Sequence, residues 1–424
     1  ADSSDILYFN AFLLNNSQTS ISASNPTASS TTIQIPENST TYSATLTFSD
    51  YNSAGTTFSQ FTQKAYNGQN LVVLGPNAVY DPSAVGYHFA SEAPLQGVGS
   101  SNETDDLVVG SSFDDVLYGQ GGDDLIHGLA GDDQLFGGTE DDILVGDEGN
   151  DTLESGGGND IFVGNEGNDI FKVAAGETVT ITDFGGRGQG AQPAANTLKL
   201  ADTLDFTSSG LTAETMQLAQ VGDDVEITFL GDVSGTQVTL QNFALDHLDN
   251  LLRATSANID FDNVRFSDSA LEDSFDVFNA DSTQRHLWNR NSVTFLNDLD
   301  NHVRGFSQSD DVVNGQGGDD VLRGLSGDDI LRGGDGNDLL DGGQGNDEYS
   351  GGAGADRFVL ALGAGVDTIT DFVEGLDQIH LGSGLTADNV QLLEVSSDTL
   401  VLSQTNELLG IVQGVTGLGG AIFG

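Results

Sequence analysis

The chain has no cysteine, so neither disulfides nor thiolate metal sites hold it together. Proline is scarce (6 of 424 residues), and so is positive charge: 12 Lys plus Arg stand against 65 Asp plus Glu. The formal net charge is -53, with no Lys or Arg between Lys64 and Lys172. Such a chain repels nucleic acid and anionic membranes, which excludes nucleic-acid binding. It has no apolar run of roughly 18 residues, so no transmembrane segment is expected. Its first residues, Ala1-Asp2-Ser3-Ser4-Asp5, lack the basic start of a secretory signal peptide. Either a signal has been removed or export uses none.

Catalytic motifs are missing too. HExxH and GxSxG do not occur, and His88, His127, His247, His286, His302 and His380 stand far apart without ligand spacing. The expectation is a protein that is not an enzyme.

What is present is glycine (56 residues) and carboxylate. A carboxylate surplus of this size is either a salt-adapted surface or a set of hard oxygen sites for Ca²⁺. Register separates the two. From residue 104 the chain reads TDDLVVGSS, FDDVLYGQG, GDDLIHGLA, GDDQLFGGT, EDDILVGDE, GNDTLESGG, GNDIFVGNE, GNDIFKVAA, with Asp106, Asp115, Asp124, Asp133, Asp142, Asp151, Asp160 and Asp169 in one frame. A second array keeps Asp311, Asp320, Asp329, Asp338, Asp347 and Asp356 in the same frame. Random acidity does not produce such a ladder; the aspartates are expected to bind Ca²⁺.

The unit explains itself chemically. Glycines permit positive φ and a tight turn, letting carbonyl oxygens converge on a cation beside the Asp carboxylate. The next three residues form a short strand with an inward middle residue: Val108, Leu117, Ile126, Leu135, Leu144, Leu153, Phe162 and Phe171, then Val313, Leu322, Leu331, Leu340, Tyr349 and Phe358. All are apolar, and strands this short are stable only when stacked.

These residues resemble the RTX (repeats-in-toxin) family, whose unit is GGxGxDxUx. The resemblance implies an all-β fold with two parallel β-rolls, two units per coil, and several Ca²⁺ ions between coils. It also implies secretion by a one-step (type I) apparatus with an uncleaved C-terminal signal. Thr104, Phe113 and Glu140 depart from glycine at the fourth position and Ser155 at the first, which weakens the sites near Phe113 and Glu140. With Kd near about 10⁻⁴–10⁻³ M and free Ca²⁺ roughly ten times higher, each site adds about 1.4 kcal/mol to folding. The metal-free chain is therefore expected to be unfolded.

After each array comes a related segment, Val179-Thr-Ile-Thr-Asp-Phe184 and Asp367-Thr-Ile-Thr-Asp-Phe372. It resembles the segment that closes RTX arrays in secreted proteases, lipases and alginate epimerases. The expected organisation is an N-terminal antiparallel β-domain, read as a sandwich (1–100), and a first roll (101–173) with its cap (174–255). A connecting segment (256–306), a second roll (307–360) and a C-terminal cap with secretion signal (361–424) follow. The cap of the first roll includes a hairpin through Val225, Ile227, Phe229, Val238 and Leu240.

Two surfaces stand out. Outward residues of one sheet of the first array (Leu107, Leu125, Ile143, Ile161) form an aliphatic face, expected to be covered by this chain or another subunit. Array two shows Asn314, Ile330, Arg332, Glu348 and Ser350 among its outward positions, mostly wettable. Arg285, Trp288, Arg290 and Arg304 gather cations in the connecting segment, either as local counter-charge or as a contact for an acidic partner such as an anionic polysaccharide. The apolar first strand (Ile6 to Leu14) is either an ordinary first strand or one donated to a neighbour.

The expected function is that of a secreted, self-assembling structural component (surface layer, matrix or filament subunit), a homo-oligomer or polymer at the cell surface. The alternatives are a Ca²⁺-dependent adhesin or carbohydrate-binding protein, then a non-catalytic part of an exoenzyme.

Overall fold

The computed structural model describes residues 105–424, apart from 111, 187–199, 252–260, 268–274 and 383, together with the backbone of six strands between 30 and 98. Nothing in the described residues is α-helical, and none of them forms a helix long and apolar enough to cross a membrane. Two compact units, 1–183 and 184–424, divide the chain.

In the first unit every array repeat makes one short strand, and strands stack in parallel with every second repeat. Leu107–Val109, Leu125–Ala130, Ile143–Glu148 and Asn159–Glu166 form one ladder, which continues into Thr178–Ile181. Val116–Gly121, Gln134–Thr139, Thr152–Gly157 and Ile170–Val173 form the other. Residues two repeats apart pair directly, Leu135 with both Leu117 and Leu153, which is the expected two-unit coil. Each inward residue named from the sequence is buried, from Val108 to Phe171. The ladders also begin upstream of the array. Tyr87–Phe89 and Gln96–Val98 pair in parallel with the first strands of the two faces. Antiparallel pairing in the N-terminal region is confined, among the described residues, to Ser30–Glu37 with Thr40–Thr47 and Phe61–Lys64 with Asn70–Val73. The apolar segment 6–14 lies outside the described residues.

The second unit contains the second stack. Ile330–Asp335, Glu348–Ala353 and Asp367–Ile369 form one ladder; Val321–Ser326, Leu339–Gln344, Arg357–Leu360 and Gln378–Leu381 form the other. An antiparallel meander, Val390–Val395, Asp398–Ser403 and Leu408–Val412, closes the first of these ladders by pairing Leu408–Val412 with Asp367–Ile369. The hairpin read at 225–240 is present as Asp224–Phe229 against Gln237–Leu240, preceded by Met216–Val221.

The stack starts well before its first recognisable repeat. Phe275–Val277, Val293–Phe295 and Val312–Asn314 pair in parallel, and His302–Arg304 pairs with Val321–Ser326. Phe278, Leu287, Leu296 and Val303 join the same core as Leu322 and Phe358. The segment 275–306 is thus built into the second stack rather than spanning between modules. Nor is the outer face of the second stack uniformly wettable. Asn314 is buried, as are Val293 and Phe295 in the same face. Two contacts bring residues 218–246 against this region: Gln316 Nε2 donates to the Leu218 carbonyl at 2.8 Å, and the Ala280 N–H to Asp246 Oδ2 at 3.2 Å. Arg332 donates to Asn314 Oδ1 at 3.1 Å within that face.

Candidate calcium centres

The register aspartates sit in the turns between strands and are almost wholly buried. Their carboxylates divide their two oxygens. Oδ1 accepts the backbone N–H of the aspartate one coil earlier: Asp106 to Asp124 at 2.7 Å, Asp115 to Asp133 at 2.7 Å, Asp124 to Asp142 at 2.8 Å, and Asp133 to Asp151 at 2.8 Å. The second stack repeats this, with Asp311 to Asp329 at 2.8 Å and Asp320 to Asp338 at 2.7 Å. Oδ2 is different. In Asp124, Asp133, Asp142 and Asp151, and in Asp320, Asp329, Asp338, Asp347 and Asp356, it is buried without a hydrogen-bond partner. A buried anionic oxygen left unsatisfied costs several kcal/mol, so this pattern calls for a cation.

The glycines shape the space around that oxygen. A Cβ on Gly333 would overlap Asp338 Oδ2, leaving the Gly351 carbonyl oxygen 2.6 Å away. The first repeat position is therefore closed to any side chain because the carboxylate lies there. Gly336, at the fourth position, has φ 149°, and a Cβ on it would overlap the Gly318 carbonyl of the previous coil. The donor set is hard oxygen throughout, which fits Ca²⁺. Among the described residues, no three His, Cys, Asp or Glu side chains converge as a metal cluster.

Without a counter-ion these carboxyls resist ionisation. Burial pushes Asp124 up to about 8; the Asp106 N–H opposes the rise, and the charges of Asp142 and Asp106 reinforce it. Asp320 is likewise raised to about 8, and Asp133, Asp142, Asp151 and Asp329 to about 7, each chiefly by burial.

Asp311 departs from the pattern. Its Oδ2 accepts the Phe306 N–H at 2.9 Å, and its Oδ1 accepts from the Ser309 hydroxyl at 2.6 Å and the Asn291 N–H at 3.1 Å. Protein donors already satisfy this carboxylate at the entry to the second array. At Glu140 the backbone takes up φ 80°, so the fourth-position turn forms there without glycine. Ser155 is buried and donates to Glu177 Oε2 at 2.9 Å.

Three features were not read from the sequence. The residue before each register aspartate builds a second, exposed ladder: the Asp123 N–H donates to Asp105 Oδ1 at 3.2 Å, Asp141 to Asp123 at 3.1 Å, and Asn159 to Asp141 at 2.8 Å. The inner ladder also continues past the second array, where Asp347 donates to Asp367 Oδ1 and Asp356 to Asp377 Oδ1. Finally, Asp183 and Asp371, of the two TITDF segments, each accept two consecutive N–H groups from the last coil, those of Gly164 and Asn165 and those of Gly351 and Gly352. The repeated TDF spacing was the signal that could have revealed the last pair.

The expected partner surfaces are placed as follows. Leu125 and Ile143 are half-buried and Ile161 is 37% exposed; the Leu107 side chain lies outside the described residues. On the same face His127 is buried, 3.1 Å from Asp147. Arg285, Trp288, Arg290 and Arg304 are exposed at the start of the second stack. The Trp288 ring lies 5.8 Å from Phe278, and Arg290 lies 5.2 Å over the ring of Phe306.

The RTX calcium-binding nonapeptide repeat profile matches four stretches, residues 100–135, 136–171, 307–331 and 323–358. No curated protein matches the chain. Among solved structures, the crystal structure of extracellular lipase LipA from Serratia marcescens is matched at 14% identity over 76% of this chain and 40% of the lipase, with a TM-score of 0.18. The chain thus spans less than half of that lipase, and a likeness at this score carries no argument about fold or activity.

Proposed function

The two arrays are RTX calcium-binding nonapeptide repeats that bind several Ca²⁺ ions, and on that premise we propose that the chain is a secreted structural protein. In this reading it folds outside the cell on meeting Ca²⁺ and then self-associates into an extracellular layer, matrix or filament. The observation that carries the reading is the row of buried Oδ2 atoms without hydrogen-bond partners, repeated in both arrays. When bound, Ca²⁺ supplies positive charge and oxygen coordination in the turns. The register aspartates hold the coils in alignment through Oδ1 and present Oδ2 and the turn carbonyls to the ion. In a low-calcium interior the carboxylates would repel one another and the chain would stay extended, suited to export. The work of the protein is then mechanical rather than catalytic.

The test compares the purified chain in millimolar Ca²⁺ and in excess EGTA, by circular dichroism and electron microscopy on one sample. The expected result is a compact β-rich spectrum and ordered assemblies with Ca²⁺, and neither with EGTA. An unchanged β-rich spectrum in EGTA would defeat the calcium-gated reading. Folded but strictly monomeric protein in Ca²⁺ would defeat the structural one.

A further inference from the structure

The outer face of one ladder of the second stack is cationic on an otherwise acidic molecule. Register places His286, Arg304 and Arg323 in one column, which runs on through Asp341 and Val359 to His380. The neighbouring column holds His302 and Arg357, with Val321 and Leu339 on the two rungs between them. All six basic side chains are exposed, while Val303, Leu322, Leu340, Phe358 and Ile379 between the columns point into the core. One acid, Asp341, interrupts the face, 3.7 Å from Arg323. Three of the chain's 12 Lys plus Arg and three of its 6 His lie here. Asp341 serves as local counter-charge for Arg323 and His380, but register sets His286, Arg304 and Arg323 on consecutive rungs with no acid between them.

We propose that this face docks on the exposed acidic turn ladder of the first array of a second copy of the chain. The proposal rests on the assembly reading above and specifies its contact. Two observations select the occupant. Both partners repeat at the strand spacing of about 4.8 Å, so Arg304 and Arg323 on adjacent rungs match carboxylates on adjacent rungs. The first array also carries the longest such run: Asp105, Asp123 and Asp141 follow one another on one edge, with Glu140 beside them, before Asn159 ends the charge. Other edges pass from two aspartates to asparagine, as in Asp114, Asp132 and Asn150 or Asp310, Asp328 and Asn346. The two surfaces belong to different arrays, so the contact is heterologous and propagates from copy to copy. Only folded rolls hold either surface in register, which makes the contact depend on Ca²⁺.

The test uses the full chain in Ca²⁺ and two triple variants, followed by sedimentation velocity. Arg304→Gln/Arg323→Gln/Arg357→Gln removes charge from the cationic face. Asp105→Asn/Asp123→Asn/Asp141→Asn removes it from the ladder while keeping each Oδ1 acceptor, as Asn150 does for the Asn168 N–H. At saturating Ca²⁺ each variant alone should keep the wild-type β-rich spectrum yet self-associate at least about tenfold more weakly. Mixed together, they should form pairs that grow no further, because each retains one half of the contact. Raising salt from about 50 to about 500 mM should disperse the wild-type assemblies, a readout that needs no variant to fold. Wild-type-like assembly by the arginine variant overturns the proposal while leaving Ca²⁺-dependent assembly standing. A wild-type chain that is monomeric at low salt overturns both. Retention of that monomer on a polygalacturonate column, lost in the arginine variant, would reassign the face to an anionic polysaccharide.

Discussion

Gly333 and Asp338 show how one residue specifies a metal site through another. The backbone at Gly333 does not lie at positive φ, yet a Cβ there would overlap the buried carboxylate oxygen that lacks a hydrogen-bond partner. Gly333→Ala should therefore act on the ion more than on the turn. Calorimetric titration is expected to show fewer bound Ca²⁺ than in wild type and a loss of about 1.4 kcal/mol or more in the holo form. An unchanged stoichiometry would show that Asp338 Oδ2 does not face the ion. Aspartate and the first glycine could be read together from the sequence because they recur in one frame. The division of labour between Oδ1 and Oδ2 could not, since it arises only when coils stack and the N–H of one meets the carboxylate of the next. The exposed ladder through Asp123 and Asp141 escaped for the same reason: position five varies among Asp, Asn and, in the last repeat, Ala355, and only the Oδ1 acceptor on a neighbouring coil unites them.

Strands were legible wherever the repeat was regular, because an apolar residue four positions beyond glycine, two beyond aspartate, can only point inward in a coil this narrow. The early coils of the second stack were not. Register places the polar Asp276 and Thr294 beside Val313 at the inward position, and the step from Val293 to Val312 is one residue longer than that from Phe275 to Val293. Asparagines do there what glycine and aspartate do elsewhere. Asn301 Nδ2 donates to Asn297 Oδ1 at 2.8 Å, and Asn297 Nδ2 to the Asn279 carbonyl at 2.7 Å, holding turns without the repeat's composition. If these coils belong to the stack, truncating a side chain in them must destabilise the array downstream. Leu296 is fully buried in the core shared with Leu322 and Leu331. Leu296→Ala should cost about 2–5 kcal/mol in the holo protein, read as a lower denaturant midpoint for the second unit. A loss below about 0.5 kcal/mol, typical of an exposed site, would return 275–306 to the status of a linker.

At the scale of the molecule, a net charge of -53 opposes compaction unless something binds the carboxylates, and protons can do so as well as calcium. In the metal-free fold the register aspartates have pKa values raised from 3.8, to about 8 for Asp124 and Asp320, about 7 for Asp133, Asp142, Asp151 and Asp329, and about 6 for Asp338, Asp347 and Asp356. Burial is the leading cause in each, with like charges along the ladder adding to it. A group whose folded pKa lies above its unfolded value binds protons more tightly in the fold. Its contribution is complete below about 4 and disappears as pH rises from about 6 through about 8. The calcium-free chain is therefore expected to gain β-structure on acidification from pH 8 toward pH 5, with no metal added. Over the same window the fold takes up protons that the unfolded chain does not, so the Ca²⁺ concentration at half-folding should fall as pH falls. Circular dichroism of the dialysed chain, titrated with Ca²⁺ at several pH values, reads both effects at once. A calcium midpoint that rises as pH falls from 8 to 5, with no β-structure gained by the metal-free chain, would mean that the fold takes up no protons at the buried carboxylates, and the ladder would then need another source of counter-charge.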